Sequence, residues 1–577
     1  MNFSSTIQAA KFTALPLWRS RLLFVLMLSG MGALILRAVY LQSINNNFLQ
    51  QKGNSSSSRI ISINAHRGMI TDRNGKPLAI STPVESIGVN PQDVDATSQQ
   101  VIQLARIMGM DIKEVQSRLF DTEHNFVFLQ RQLPPEQAEK IVKLGIPGVS
   151  LRREYRRYYP SGEITAHLLG FTDVDDNGQE GLELALQNQL GGKAGSQHVI
   201  KDRKGRIVED VANIRAPKPG SDLALSIDSK IQYLAYREIK QAVEQHHAKA
   251  GSIVVLDALS GEVLALANWP SYNPNNRAKP NLQVLRNHAV TDLFEPGSTL
   301  KPFTVAAALE TGNVTPQTVI NTDNGVMLVG GHKIHDTHPE ETLTVAQVIQ
   351  KSSNVGAAKI ALSLPPETIW QSLNGSGFGT QAGSGFPGEA VGKLHDYTKW
   401  RPIEQATISY GHGISVSLLQ LARAYTVFAN HGELKPVSWL KLDAPASSKK
   451  VFSDTTARKV LNMLELATLP GGTAPLAQIN GYRVAGKTGT AHKLEGGRYV
   501  NRYISSFVGL APASNPRLVV AVMINEPNNG QYYGGMVAAP VFSNVMGTAL
   551  SLLNVPNDTQ LGNILMPPSA NIVKEEV

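Results

Sequence analysis

Three short runs in this chain have the residue types and spacing for acyl-transfer chemistry. The first is Glu295-Pro296-Gly297-Ser298-Thr299-Leu300-Lys301-Pro302-Phe303. Pro-Gly breaks the chain, and Thr304 to Thr311 has a helical pattern ended by Gly312. Ser298 is therefore expected at a helix N-terminus, where backbone N–H groups and the dipole favour developing negative charge. Lys301, three residues on, falls on the same helical face. A hydroxyl needs a base before it becomes a nucleophile, and a lysine desolvated in a cationic pocket has its pKa lowered enough to serve. Pro302 falls in the first turn, where a missing N–H costs little. Alone, Ser-x-x-Lys equally describes an N-capping serine with a surface lysine.

The second run, Lys351-Ser352-Ser353-Asn354, follows a predicted helix from Thr344 to Gln350. Ser352-x-Asn354 offers a hydroxyl and an amide together, or merely polar residues that end a helix. The third, Ala485-Gly486-Lys487-Thr488-Gly489-Thr490-Ala491, reads as a strand whose glycines let another backbone approach closely. Lys487 supplies a fixed positive charge and Thr488 a hydroxyl, which suits a carboxylate ligand. The bland alternative is a Gly-rich edge strand. An ideal strand puts Lys487 and Thr488 on opposite faces, so how both serve one ligand is open at this point.

The elements that must position these runs are readable from periodicity. After Ala216-Pro217-Lys218-Pro219-Gly220, which marks a boundary, come a strand (Leu223 to Ile227), an amphipathic helix (Ser229 to about His247) and two strands around Leu259-Ser260-Gly261-Glu262. Much later, Arg483 to His492, Tyr503 to Ala511 and Leu518 to Ile524 are strand-like, and a helix from about Ala539 to Leu553 follows. A mostly helical block, roughly 300 to 470, lies between. Strands at both ends with helices between predict one mixed sheet built from distant halves. From about Ile60 to Gly220 short β-like runs alternate with charged turns and two helical stretches, Val101 to Met108 and Pro134 to Leu144.

Composition sets the class. The chain has 577 residues, 42% hydrophobic and 17% charged, with a net charge of +8 and no cysteine. Wholesale disorder, disulfide scaffolds, thiolate metal sites and a cysteine nucleophile are excluded. The basic stretches Arg152 to Arg157 and Lys201 to Arg206 contain acids and lie far apart, so nucleic acid is not an expected partner. Leu22 to Leu41 is a nearly uninterrupted apolar run, long enough to cross a ~30 Å hydrocarbon core. Arg37 and Tyr40 suit its interfacial end. No small-residue cleavage site follows, so an uncleaved anchor is expected. Arg19 and Arg21 abut the run, which favours a short cytoplasmic tail and an exported body. Ser29, Gly30, Gly32 and Ala33 would let another membrane helix approach closely, although glycine is common in membrane helices anyway. Gly331 to His338 invites a metal reading, but strand period puts His335 opposite His332 and His338, and Pro339 blocks a helix.

The three runs, in this order and context, resemble the serine acyl-enzyme family of penicillin-binding proteins and β-lactamases. The wider match is similar to the class B penicillin-binding proteins, and within them the septal division transpeptidases. It is carried by Arg67 to Gly75, Phe294 to Phe303, Ser352 to Gly356, Ser409-Tyr410-Gly411-His412-Gly413, Lys487 to Thr490, and Tyr532 to Gly535 through Ala539-Pro540-Val541-Phe542. The resemblance implies an α+β chain: a cytoplasmic tail (1–21), a single transmembrane helix (22–41), an elongated mixed α/β pedestal or dimerisation-like domain (42–220), a transpeptidase domain with a mainly antiparallel sheet, flanking helices and a helical subdomain (221–555), and a flexible tail (556–577). It implies a serine-type D,D-transpeptidase that cross-links peptidoglycan stem peptides ending in D-Ala-D-Ala and is inactivated by β-lactams, with no cofactor and no metal. Ser298 would be the nucleophile, Lys301 its base, and Ser352 a proton relay. Asn354 would bind the acyl chain's amide and help hold Lys301. Lys487, Thr488 and Thr490, with Gly489 between them, would take the terminal carboxylate, and the backbone N–H groups of Ser298 and Thr490 would form the oxyanion hole. Implied partners are an FtsW-type glycosyltransferase and other division proteins. The implied place is the inner membrane at the division septum, with the catalytic domain periplasmic.

His492 stands where that branch often has Arg or Lys, and His412 replaces a commoner aromatic. None of the glutamates between the second and third runs (Glu367, Glu389, Glu404, Glu433, Glu465) has an Asn four residues on, so the deacylating pair of class A β-lactamases is not expected. An elongation-type transpeptidase is the nearest other reading. A membrane-anchored β-lactam sensor is disfavoured by the short tail.

Overall fold

The computed structural model describes residues 17–44, 58–201, 207–276 and 282–560. The polar stretch 45–57, most of the tail 1–21, all of the Lys201 to Arg206 stretch but Lys201, and residues 561–577 lie outside them. Leu17–Val39 is one α-helix, starting earlier than the predicted Leu22 because its first turn, tied by Ser20 Oγ donating to Leu17 O at 3.0 Å, is added ahead of the apolar run. The apolar span reaches Leu17–Gln42, with mean hydropathy 2.2, and its side chains are exposed, as an anchor for a lipid phase requires.

The described residues form two compact units that do not follow chain order. The first gathers residues up to Asn64, Glu85–Arg152 and Ala194–Lys218. In it Ser58–Ile63, Gly195–Lys201 and Ile207–Arg215 form an antiparallel sheet. The helices Ser98–Met108, Ile112–Leu119 and Pro135–Val142 bury Val101, Leu104, Val115 and Ile141 around a small core.

The second unit holds Ala65–Val84, Arg153–Lys193 and the described residues from Pro219 on. Its centre is a five-stranded antiparallel sheet in the order Val263–Trp269, Ala250–Asp257, Leu518–Asn525, Arg498–Ala511, Ala485–Glu495. Strands early and late in sequence are thus neighbours, as their patterning predicts. The run Ile253-Val254-Val255-Leu256 is apolar throughout because both faces are covered. Ile253 and Val255 enter the core beneath the helices Ser229–Gln245 and Ala539–Leu552, while Val254 and Leu256 enter the core shared with Lys301–Glu310 and Leu418–Ala429. Capping fixes where these helices start. Asp228 accepts from Lys230 N–H and Ile231 N–H, and Ser417 and Gln420 form a reciprocal capping box. The strand Ala485–Glu495, which carries the third run, is the sheet's edge.

Candidate active site

Ser298 lies in a 3₁₀ turn, Gly297–Leu300, that runs directly into the helix Lys301–Glu310. Pro302 sits in that helix's first turn, as its missing N–H predicts. The turn is held from several sides. Thr299 Oγ1 donates to Pro296 O at 2.7 Å, Tyr425 Oη to Thr299 O at 2.7 Å, and Gly297 N–H to Gly411 O at 3.3 Å. Gly411, at φ +89°, lies so close that a Cβ would stand 2.1 Å from Gly297 O. Only glycine allows the Ser409–Gly413 loop to back the Ser298 turn.

Lys301 is fully buried, and its ammonium donates to Ser298 Oγ at 2.9 Å, Ser352 O at 2.5 Å and Ser352 Oγ at 3.1 Å. Ser352 is the residue past the helix Val345–Lys351 and holds a left-handed φ of +65°, uncommon for a side-chain-bearing residue. That conformation presents both its carbonyl and its hydroxyl to Lys301. Ser353 then caps the helix Asn354–Leu362, its Oγ accepting from Gly356 N–H at 2.8 Å. Asp336 secures this turn: its carboxylate accepts from Ser353 Oγ at 2.5 Å, Asn354 N–H at 2.6 Å and Val355 N–H at 3.0 Å.

The third run sits alongside. Gly489 packs against the Ser298 turn so tightly that a Cβ would stand 2.7 Å from Pro296 O and 3.0 Å from Thr299 Cγ2. The opposite-face question raised by Lys487 and Thr488 is answered by the length of the lysine. Its ammonium returns to Thr488 Oγ1 at 3.2 Å and Thr488 O at 3.4 Å, and both residues are fully buried. Thr473 Oγ1 is 2.7 Å from Thr488 Oγ1, and Gly534 N–H donates to Thr490 Oγ1 at 3.0 Å. The predicted residues thus come together: Ser298, Lys301 and Ser352 in direct contact, Asn354 on the turn beside Ser352, and Lys487 to Thr490 against the Ser298 turn.

Burial, then the charges of Lys301 and His492, push His412 down to about 4, so it is neutral near pH 7. Burial pushes the Glu295 carboxyl up, opposed by Gly413 N–H at 2.8 Å and Tyr499 Oη at 3.0 Å.

Residues 251–547 match the penicillin binding protein transpeptidase domain, and residues 62–225 the penicillin-binding protein dimerisation domain. The chain belongs to the class B penicillin-binding proteins. It is 43% identical over 548 residues to the peptidoglycan D,D-transpeptidase FtsI of Escherichia coli K12, covering 94% of this chain and 93% of that one. It is 43% identical over 542 residues to the probable peptidoglycan D,D-transpeptidase PenA of Neisseria meningitidis serogroup B, 93% of each. Among solved structures it is similar to the apo transpeptidase domain of Burkholderia pseudomallei penicillin-binding protein 3 (TM-score 0.54, 50% identity, 58% of this chain and 98% of that one). It is also similar to a peptidoglycan synthetase from Bifidobacterium adolescentis (TM-score 0.71, 26% identity, 90% of this chain and 100% of that one).

Sequence reasoning missed several residues that hold this penicillin-binding site. Asp336 lies within the Gly331 to His338 stretch, where the histidines and not its carboxylate attract attention. Tyr425 and Thr473 carry no local signal, because their partners lie on remote segments. Glu295 stood inside the first motif but had no evident partner until Tyr499 and Gly413 were placed beside it.

Proposed function

We propose that the chain cross-links peptidoglycan as a serine-type D,D-transpeptidase of the division septum, with Ser298 as nucleophile. Ser298 Oγ attacks the carbonyl of the penultimate D-Ala of a donor stem peptide while Lys301 takes its proton. The tetrahedral oxyanion is met by the backbone N–H groups of Ser298 and Thr490. Its collapse breaks the peptide bond, and a proton relayed through Ser352 leaves with the terminal D-Ala. The amine of a neighbouring stem then attacks the ester, forming the cross-link and restoring the serine. Lys487, Thr488 and Thr490 hold the terminal carboxylate, and Asn354 takes the acyl chain's amide. The donor adds to the edge strand Ala485–Glu495 as an antiparallel guest. β-Lactams present the same carboxylate and a strained amide, so they acylate Ser298 by the same route.

One observation carries this reading: Lys301 Nζ lies within hydrogen-bonding distance of both Ser298 Oγ and Ser352 Oγ, the proton path acylation requires. The pedestal (42–220) and transpeptidase domain (221–555) are assigned to scaffolding and catalysis respectively. The anchor sets a short cytoplasmic tail and a periplasmic body. An FtsW-type glycosyltransferase is the proposed membrane partner, supported by the small residues Ser29, Gly30, Gly32 and Ala33 on the anchor, which let another helix approach closely. The test is D-Ala release and dimer formation from stem pentapeptides by the full-length chain. Ser298→Ala is expected to abolish both, and undiminished activity in that variant would sink the assignment.

A further inference from the structure

The hairpin formed by the edge strand Ala485–Glu495 and Arg498–Ala511 changes register near its tip. His492 pairs with Tyr503, but Lys493 pairs with Val500, so Asn501 and Arg502 bulge from the ladder. A bulge bends the strand it interrupts and re-aims the side chains beyond it. Beyond this one lie the Gly496-Gly497 turn, both residues at positive φ, and Tyr499. Tyr499 Oη donates to the two oxygens of the Glu295 carboxylate at 3.0 and 3.2 Å, and Gly413 N–H donates to the same carboxylate at 2.8 Å. Glu295 stands just before the Ser298 turn, and Gly413 ends the loop that backs that turn. One carboxylate thus gathers three segments that are remote in sequence.

The tie is a strong one for its size. A hydroxyl on a carboxylate makes a charge-assisted hydrogen bond, roughly twice as strong as a neutral pair. Burial, then the Glu295 charge, push the Tyr499 hydroxyl up, so it stays protonated and keeps donating. The His412 ring lies alongside, its centroid 5.3 Å from that of Tyr410 and 5.9 Å from that of Tyr499. The Tyr499 ring is therefore packed on His412 while its hydroxyl is spent on Glu295.

Acyl transfer needs the edge strand and the Ser298 turn to keep a fixed gap. Of the two oxyanion donors proposed above, one belongs to the turn, at Ser298, and the other to the strand, at Thr490. Such donors act only when about 2.7–3.1 Å from the oxyanion. Gly489 packed on Pro296 O is one point of contact between strand and turn. A strand held at one point can pivot about it, and the Tyr499–Glu295 bond supplies a second hold further along the hairpin. We propose that Tyr499 and Glu295 are positioning residues, whose bond latches the hairpin tip to the Ser298 turn and so fixes the gap between Thr490 and Ser298, an inference that rests on the acyl-transfer reading above.

The test is rapid-mixing acylation of the full-length chain in detergent by a fluorescent penicillin, which separates the limiting acylation rate from the affinity of the first, non-covalent complex. Thermal midpoints are measured alongside. Tyr499→Phe keeps the ring on His412 and removes only the hydroxyl. Its limiting rate is expected to fall about tenfold, the size of one charge-assisted hydrogen bond. Drug affinity should change by less than about twofold, and the thermal midpoint should stay within about 2 °C of wild type. Glu295→Gln keeps an acceptor for the phenol and should lose only about threefold. Tyr499→Phe combined with Glu295→Ala should be no slower than Glu295→Ala alone, because the bond is already gone. An unchanged limiting rate in Tyr499→Phe, a loss confined to drug affinity, a midpoint that falls in step with the rate, or losses that multiply in the double variant would each overturn the latch. A wild-type chain that penicillin does not acylate at Ser298 would overturn the acyl-transfer reading itself, and needs no variant to be seen.

Discussion

Two clusters of buried cations lie in the same compact unit, and the fold treats them differently. Arg67 and Arg157 are almost fully buried and share one buried carboxylate: Arg67 Nε donates to Glu183 Oε2 at 2.8 Å and Arg157 Nε to Glu183 Oε1 at 2.6 Å. Other guanidinium N–H groups are spent on fixed acceptors, Asp176 O, Glu183 O, Gln187 Oε1 and Gly68 O. Arginine never deprotonates in such a setting, so this is a permanent charge in a rigid clasp. Lys301 is equally buried, but the acceptors at its ammonium include Ser298 Oγ, Ser352 O and Ser352 Oγ, all neutral oxygens. A lysine among neutral oxygens can give up a proton and take one back. The clasp ties distant segments together with a fixed charge, whereas the surroundings of Lys301 allow the proton exchange that its proposed role as base requires.

The comparison breaks first at Lys301. Lys301→Met keeps most of the buried stem but removes the base, so penicillin acylation should slow by about 10²–10⁴ while the thermal midpoint stays near wild type. Acylation at the wild-type rate would show that Lys301 is only another structural cation. At the clasp the opposite split is expected. Glu183→Gln leaves two buried guanidiniums short of counter-charge, a loss of ~3–5 kcal/mol of stability by denaturant titration. The folded fraction should still acylate normally, and a selective rate loss with unchanged stability would place Glu183 in the catalytic system. Tyr425→Phe lies between the two. Losing the bond to Thr299 O should cost about 1–3 kcal/mol and also slow acylation, because the same bond steadies the Ser298 turn.

The smallest effect is set by pH. Burial holds His167 at about 4, and burial with the Lys301 and His492 charges does the same for His412. An unfolded histidine titrates near ~6.5, so between these values the unfolded chain binds more protons and stability rises with pH. The neutral-histidine contribution is present above pH ~6.5 and is lost as pH falls toward 4. Thermal midpoints across that window should fall with acid, and His412→Asn should flatten part of the slope. An unchanged slope in that variant would show that His412 is not held neutral.

The candidate site residues were legible because their pattern is local: Ser-x-x-Lys needs one helix turn, and a Gly-flanked lysine needs one strand. The sheet was legible too, since Ile253 to Leu256 and Leu518 to Ile524 are apolar on both faces, as buried strands must be. Asp336 was not, because its work is to bind backbone N–H groups of a turn further along the chain, and any sequence supplies those. The clasp was equally hidden. Arg67, Arg157 and Glu183 meet only once the chain has folded, and each alone reads as a surface charge. The Pro- and Gly-rich stretch at Ala216 to Gly220 does mark a boundary, since the chain passes from one unit to the other between Lys218 and Pro219, but composition does not reveal that Ala65–Val84 and Arg153–Lys193 also pack with the five-stranded sheet's unit.

The central claim is that Ser298 is a nucleophile whose acyl-enzyme has no positioned base to hydrolyse it. Its most direct test is a short penicillin pulse on the full-length chain, followed by intact-mass and peptide mass spectrometry over time. One drug-mass adduct is expected, mapping to the peptide that contains Ser298 and persisting for many minutes. An adduct on another residue, or one that vanishes within seconds as ring-opened drug accumulates, would contradict the account.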